Sequence, residues 1–385
     1  MIKLKREKLL LKPKDIQPSS PKFEVMGVLN PAAIRMKNQK IILYARVIEK
    51  LKKRKNNRIG YSPRFAGRNI CNLKIDKLNL ENLEEESTLD FLFKDGTKRL
   101  TFISHLRKIV LDESGFKVLS IDKKPSFCGC DWDGQFGVED PRIVKVKDLY
   151  IMAYVSLSKS ANISSSLAVS SDCKKWWRKG IIFREQNKDV VIFPERVKGR
   201  YVALNRPEGN FQFSPPHIWI SYSKNLEYWG KPKPLILSKK GWDSGRVGAG
   251  PPPIKTDKGW LLLYHAVTER KKGHYEGVNI SLAQKVEDLF GFKGGEDEDK
   301  YYSYAVGALL LDLKNPGKII AKTKTPIIIP EKTYERGTTE KKDVVFPTGI
   351  IEDNNKKDLL IYSGGGDKVI SVKKVSLESI FQAMN

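Results

Sequence analysis

An all-β fold, a five-bladed β-propeller with only short peripheral helices, is predicted for this chain of 385 residues by three observations. A proline-led pattern recurs five times along the sequence. Each copy is two β-rich runs around a short Lys/Asn/Asp/Gly turn, the local form of a β-hairpin. Between the copies no long stretch carries the 3.6-residue apolar period of a helix.

The copies follow one another as NPAAIRMKNQKIILYAR from Asn30, EDPRIVKVKDLYIMAYVS from Glu139, FPERVKGRYVALNRP from Phe193, PPPIKTDKGWLLLYHA from Pro251 and FPTGIIEDNNKKDLLIYSGG from Phe346. Proline opens the pattern because its missing N–H is tolerated at the first residue of a strand. Five units share the 385 residues at about 77 each, which suits propeller blades that add strands and loops to the hairpin. The spacing of the prolines is irregular, so a two-domain β-sandwich stays open as the alternative. The C-terminal LESIFQAMN is the clearest helix candidate, and it is short.

Lys and Arg number 70 against 45 Asp and Glu, a formal charge of +25, and residues 1–60 hold 17 of the former and 4 of the latter. The densest run, KLKKRKNNR from Lys50 to Arg58, could grip phosphates, but such a run is more often a solvated loop. The other lysines are scattered through turns and form no groove, so no nucleic-acid partner is expected. With 40% apolar residues the chain can bury a sizeable core. No run of about 18 apolar residues exists to cross a membrane. The N-terminal MIKLKREKLLLKPKD has only Leu9 to Leu11 as an apolar run, too short for a signal-peptide core, which makes the cytoplasm the expected location. Residues 1–24 read as a basic extension and 25–385 as one domain. Cys71, Cys128, Cys130 and Cys173 are too few to imply a disulfide framework. Cys128 and Cys130 form a CxC without a second pair at zinc spacing and read as ordinary thiols, so no metal is expected.

The repeat also predicts where chemistry would sit. Asn30 and Asp140 directly precede the repeat proline; Arg46, Arg206 and His265 end the second strand of their copies, and Asp367 follows the last one in SGGGD. Singly, each is an ordinary polar strand end. Together, at equivalent edges of a closed ring, they would converge on one pocket. Two carboxylates, several cations, a histidine and an amide suit cleavage of a glycosidic bond, which needs a proton for the leaving oxygen and a nucleophile on the opposite face of the sugar. A hydrolase supplies a second carboxylate to activate water, whereas a phosphorylase needs a cationic cradle for phosphate. GRVGAG at Gly245 is not a dinucleotide loop, because Pro251 to Pro253 forbid the helix that should follow.

GVEDPRI at Gly137, FPERVKGRYVALNRP at Phe193, GRVGAGPPPIKTDKGWLLLYHAV at Gly245, YAVGALLLDLKNP at Tyr304 and IYSGGGDKVI at Ile361 are specific in combination. On these motifs, from about Val25 to Ile380, the sequence resembles glycoside hydrolase family 130, the β-mannoside phosphorylases and related β-mannosidases. The resemblance implies a five-bladed propeller and inverting cleavage of β-1,2- or β-1,4-mannosides or mannosyl-glucose, with inorganic phosphate as co-substrate, α-mannose 1-phosphate as product and no cofactor. It implies that Asp140 is the proton donor, acting through the mannose 3-hydroxyl, and that Asn30, Arg46 and Asp367 hold the mannose. The implied phosphate cradle is Lys188, Arg206, Arg246, His265 and Tyr304. Asn205 stands where a His-Arg pair is common in the family, and Arg246 where Lys is common. The segment 268–300 is longer than the family pattern, a candidate lid or contact of a homo-oligomer. A β-mannoside hydrolase is the first alternative, and a non-catalytic polyanion-binding propeller the second.

Overall fold

Five groups of strands, three of them separate four-stranded antiparallel sheets and the last two joined in one nine-stranded sheet, follow one another along the chain in the computed structural model, which describes residues 1–68, 71–209, 213–236, 241–271, 300–336 and 342–385. The first sheet holds Phe23–Arg35, Ile41–Leu51, Phe102–Leu111 and Val118–Ile121, and the second Gly137–Val146, Leu149–Ser158, Asn162–Ser170 and Trp177–Phe183. The third holds Asn187–Ile192, Tyr201–Pro207, Trp219–Ser223 and Trp229–Pro234. In the fourth, Val247–Ala249 and Ile254–Thr256 both pair with Gly259–Lys271, which pairs with Lys300–Leu311, and that with Ile319–Lys322. Pro251 to Pro253 interrupt its first strand because none of them has an N–H for the ladder. The fifth sheet holds Lys342–Glu352, Asp358–Gly365, Val369–Ser376 and, on its outer edge, Leu4–Leu11. Parallel pairing of Tyr302 to Tyr304 with Lys342 to Val344 joins the fourth sheet to the fifth.

The all-β expectation holds, and the helices among the described residues are short: one-turn 3-10 segments at Pro13–Asp15 and Thr333–Glu335, and an α-helix at Leu377–Gln382 inside the expected C-terminal stretch. No helix among the described residues is long and apolar enough to cross a membrane.

Middle strands such as Leu149–Ser158 are buried on both faces, because each sheet packs against two others. The cores run in cyclic succession. Ala32, Tyr44 and Leu106 meet Ile143, Met152 and Tyr154 between the first and second sheets. Val144, Ile151 and Leu167 meet Val190, Ile192 and Ala203 between the second and third. Val191, Val202 and Leu204 meet Val247, Leu262 and Leu309 between the third and fourth. Leu261, Val306 and Leu310 meet Val345, Leu359 and Ile361 between the fourth and fifth. The succession closes where Leu360, Tyr362 and Ile370 meet Val28, Leu43 and Ile109 of the first sheet.

Two expectations change. The stretch 1–24 is more than a basic extension, since Leu4–Leu11 completes the fifth sheet and Lys5 Nζ pairs with Asp358 at 2.6 Å. Cys71 and Cys128 are not free thiols but a disulfide, while Cys130 and Cys173 are free and buried. The disulfide ties a region with no counterpart in the repeat, two small sheets at residues 55–79 and 83–100, to the loop before Gly137. Sequence spacing could not show it, because 57 residues separate the partners and only the accessory sheet brings them together. The basic run is answered by local acids: Lys50 pairs with Glu24, Arg54 and Lys55 with Glu86, and Arg58 with Glu81. Most of the segment 268–300, and His274 within it, lies outside the described residues.

Candidate active site

The backbone makes the site through one repeated device. The first strands of sheets one, two and three each carry a bulge, with Asn30 at φ 45°, Asp140 at φ 48° and Asp189 at φ 56° in the left-handed region. That conformation is uncommon outside glycine and is tolerated best by Asn and Asp, whose short polar side chains bond locally. A bulge also re-aims its side chain.

On one side, Asn30 Nδ2 donates to Asp140 Oδ1 at 2.9 Å. Arg46 Nη1 approaches the same oxygen at 3.3 Å, and its Nη2 pairs with Glu139 Oε1 at 2.6 Å. Ser104 Oγ donates to Glu139 at 3.1 Å and fixes that carboxylate. Burial works against the charge of Arg46, but Glu139, Asp140 and Asp367 outweigh it and hold its pKa above the ordinary arginine value. Asp367, at φ 53° in the turn after the strand Asp358–Gly365, is brought to the strand of Asn30 where Val28 N donates to the neighbouring Lys368 carbonyl at 3.1 Å. Asn30 Oδ1 is buried and accepts no hydrogen bond from the described residues. Gly364 is required here, since a Cβ on it would lie 2.0 Å from Asn30 Oδ1.

On the other side, Asp189 is buried among cations. Its Oδ1 accepts from Arg142 Nη2 at 3.0 Å, and its Oδ2 faces Arg206 Nε at 3.2 Å and His265 Nε2 at 3.3 Å. The last two are charge contacts without an aligned N–H, so Arg206 Nε and both His265 nitrogens remain short of a hydrogen bond. Burial alone would raise the pKa of Asp189, but Arg206, His265 and Arg142 drive it well below the carboxylate range. Burial pushes the pKa of His265 below its ordinary value, with Asp189 opposing. Gly248 admits this pair, because a Cβ there would sit 2.1 Å from Asp189 Oδ2.

Lys188 stands opposite Arg206 in the ladder and so shares its face, half-buried. Arg246, 43% exposed, and Arg206 both pair with Glu208, at 2.7 and 3.5 Å. Tyr304 lies beside Phe346, which packs on His265 at 4.2 Å between ring centroids. One guanidinium links the two sides: Arg142 donates to the Asp140 carbonyl at 2.8 Å and to Asp189 at 3.0 Å.

The structure therefore gathers Asn30, Arg46, Asp140 and Asp367 into one group and Lys188, Arg206, Arg246, His265 and Tyr304 into an adjoining one. Sequence reasoning passed over Glu139, Arg142, Asp189, Glu208 and Phe346. Asp189 occupies the bulge position of Asn30 and Asp140, but Val190 follows it where the others have proline. Of the other histidines, His217 stacks on Trp219 and His105 is buried against Glu49. Trp176 and Trp242 pack on Tyr44 and Tyr264, whereas Trp132 is exposed.

A carboxylate beside an amide, with a cation cluster next to it, suits the class of proteins that act on glycosidic bonds, where a proton donor and an anionic nucleophile are both needed. Within that class the chain belongs to glycoside hydrolase family 130: the family profile described as beta-1,4-mannooligosaccharide phosphorylase matches residues 111–385. It is 32% identical over 376 residues to the beta-1,2-mannobiose phosphorylase of Listeria innocua, covering 94% of this chain and 92% of that protein. It is 36% identical over 249 residues to the 1,2-beta-oligomannan phosphorylase of a Thermoanaerobacter species, covering 63% of this chain and 70% of the other. The solved Listeria enzyme in complex with beta-1,2-mannobiose superimposes with a TM-score of 0.78 at 29% identity, covering 97% of this chain and 96% of that one.

Proposed function

We propose that this chain is an inverting β-mannoside phosphorylase, acting on β-1,2-linked manno-oligosaccharides, and that its five sheets are the blades of a five-bladed β-propeller. The propeller rests on the cyclic succession of cores, each shared by two neighbouring sheets. The activity rests on one observation above the rest: Arg142 touches both Asp140 and Asp189, so the acid group and the cation group are neighbours in one site.

In this scheme Asn30, Arg46 and Asp367 hold the mannose, and the unfilled Asn30 Oδ1 accepts a sugar hydroxyl. Asp140 gives its proton to the glycosidic oxygen through the mannose 3-hydroxyl as the C1–O bond breaks. A phosphate oxygen forms the new bond to C1 from the opposite face, so the product is α-mannose 1-phosphate. Lys188, Arg206, Arg246, His265 and Tyr304 hold the phosphate; the His265 ring nitrogens, without a hydrogen bond of their own, are available to bond it, and the arginines neutralise it. Phosphate is itself the nucleophile, so the scheme calls for no metal or cofactor. The β-1,2 linkage follows the Listeria and Thermoanaerobacter relatives, whose names specify it.

The test is release of mannose 1-phosphate from β-1,2- and β-1,4-mannobiose with and without phosphate. Phosphate-dependent turnover, faster on the β-1,2 isomer, is expected. Free mannose released equally fast in phosphate-free buffer would overturn the phosphorylase in favour of a hydrolase. A cytoplasmic site of action belongs to the proposal, because a sugar phosphate is useful where it is retained. A reducing compartment tends to open disulfides, so thiol trapping of Cys71 and Cys128 in protein taken from cells tests that part.

A further inference from the structure

Glu208 lies in the cation group as an unassigned anion. Its two carboxylate oxygens reach two different arginines: Oε1 pairs with Arg246 Nη2 at 2.7 Å, and Oε2 with Arg206 Nη2 at 3.5 Å. The side chain is 12% exposed, so the pairs are partly shielded from water. Arg206 faces Asp189 with Nε and Glu208 with Nη2, so carboxylates stand along the Nε/Nη2 edge of its guanidinium. That edge is one of the two by which a guanidinium grips phosphate bidentately. Asp189 cannot leave, being buried and held by Arg142 as well. Glu208 has no such second anchor among the described residues; its only side-chain ion pairs are the two arginines themselves.

We propose that Glu208 is an internal competitor for the phosphate site, a specificity-determining carboxylate that pairs Arg206 and Arg246 when no phosphate is bound and is displaced by phosphate oxygens. The inference rests on the phosphorylase reading of the same site. Two anions cannot share the same N–H donors, so phosphate affinity is set by the difference between phosphate–arginine and Glu208–arginine pairing. The device holds two cations in place when the site is empty and weakens retention of phosphate.

The experiment compares wild type with Glu208→Gln, which keeps shape and removes charge, and with Glu208→Asp, which keeps charge and shortens reach. Binding of inorganic phosphate is measured by calorimetry, and KM for phosphate and for β-1,2-mannobiose by mannose 1-phosphate release. Glu208→Gln is expected to lower both Kd and KM for phosphate by roughly three- to tenfold, the worth of a partly shielded ion pair, with KM for mannobiose unchanged. Glu208→Asp is expected to fall between the two. Unchanged or weaker phosphate binding in Glu208→Gln, with phosphate-dependent turnover intact in the wild type, overturns the inference alone and makes Glu208 a support for the arginines. A wild type that neither binds phosphate nor needs it for turnover overturns the phosphorylase reading, and this inference with it. If Glu208→Gln fails to fold by thermal melting, Glu208→Asp decides: phosphate binding as tight as wild type or weaker overturns the inference.

Discussion

Asp140 and Asp189 occupy the same backbone position in neighbouring sheets, yet their surroundings differ. Both sit at a bulge with left-handed φ on the first strand of their sheet, and Arg142 bridges them. Asp140 meets one arginine and one amide, and its side chain remains 14% exposed. Asp189 is 3% exposed and is surrounded by Arg142, Arg206 and His265. The fold repeats the position; the neighbours decide whether the carboxylate can reach a substrate or serves as fixed counter-charge for the cations that do.

That contrast can be broken at four points. Asp189→Ala leaves Arg142 and Arg206 buried without their shared counter-charge, and should cost about 3–5 kcal/mol of stability in urea denaturation. A loss under about 1 kcal/mol would mean that Asp189 is not the counter-charge. Asp140→Asn should instead leave the denaturation midpoint near wild type while cutting turnover ~100-fold or more; activity within tenfold of wild type would remove Asp140 as the proton donor. Arg246→Ala should raise KM for phosphate ~10-fold, the loss of a charged hydrogen bond, and leave KM for mannobiose alone. An equal rise in both would place Arg246 outside the phosphate group.

The smallest effect is on pH dependence. Burial lowers the folded-state pKa of His265, and of His105, below the ordinary value of about 6.5. The unfolded chain therefore binds more protons just under pH 6.5, and stability falls as pH drops from there towards the folded values, by at most about 1.4 kcal/mol per pH unit for each histidine. His265→Gln should make that decline shallower. An unchanged slope would show that its imidazole titrates alike in both states.

Much of the site was legible because proline marks it. Asn30-Pro31 and Asp140-Pro141 place polar residues at the bulges, and a search led by proline finds them. Asp189 escapes because Val190 takes the proline's place, although the chemistry of an Asp before a buried apolar run is the same. Glu208 escapes because its meaning is an ion pair to Arg246, a residue on another sheet. A second internal repeat was present and unread. Ser170 and Ser223 each cap a turn by accepting from Cys173 N and Leu226 N at 2.9 Å, while Asp172 and Asn225 accept the next two amides. The matching segments SSDCKKW from Ser170 and SKNLEYW from Ser223 mark the outer hairpins of sheets two and three, and composition changes disguise them. The accessory sheets and their disulfide have no repeat to announce them.

The strand Leu4–Leu11 has a consequence for how the protein is made. Lys5 and its partner Asp358 are 353 residues apart in sequence, so during synthesis the strand waits for a segment made much later before its hydrogen bonds can form. Until then the nascent chain carries an unpaired strand with Leu4, Leu9, Leu10 and Leu11, the sort of edge that invites association with another chain. The lysines and arginine interleaved with those leucines keep that waiting segment charged, the property by which exposed edge strands resist association.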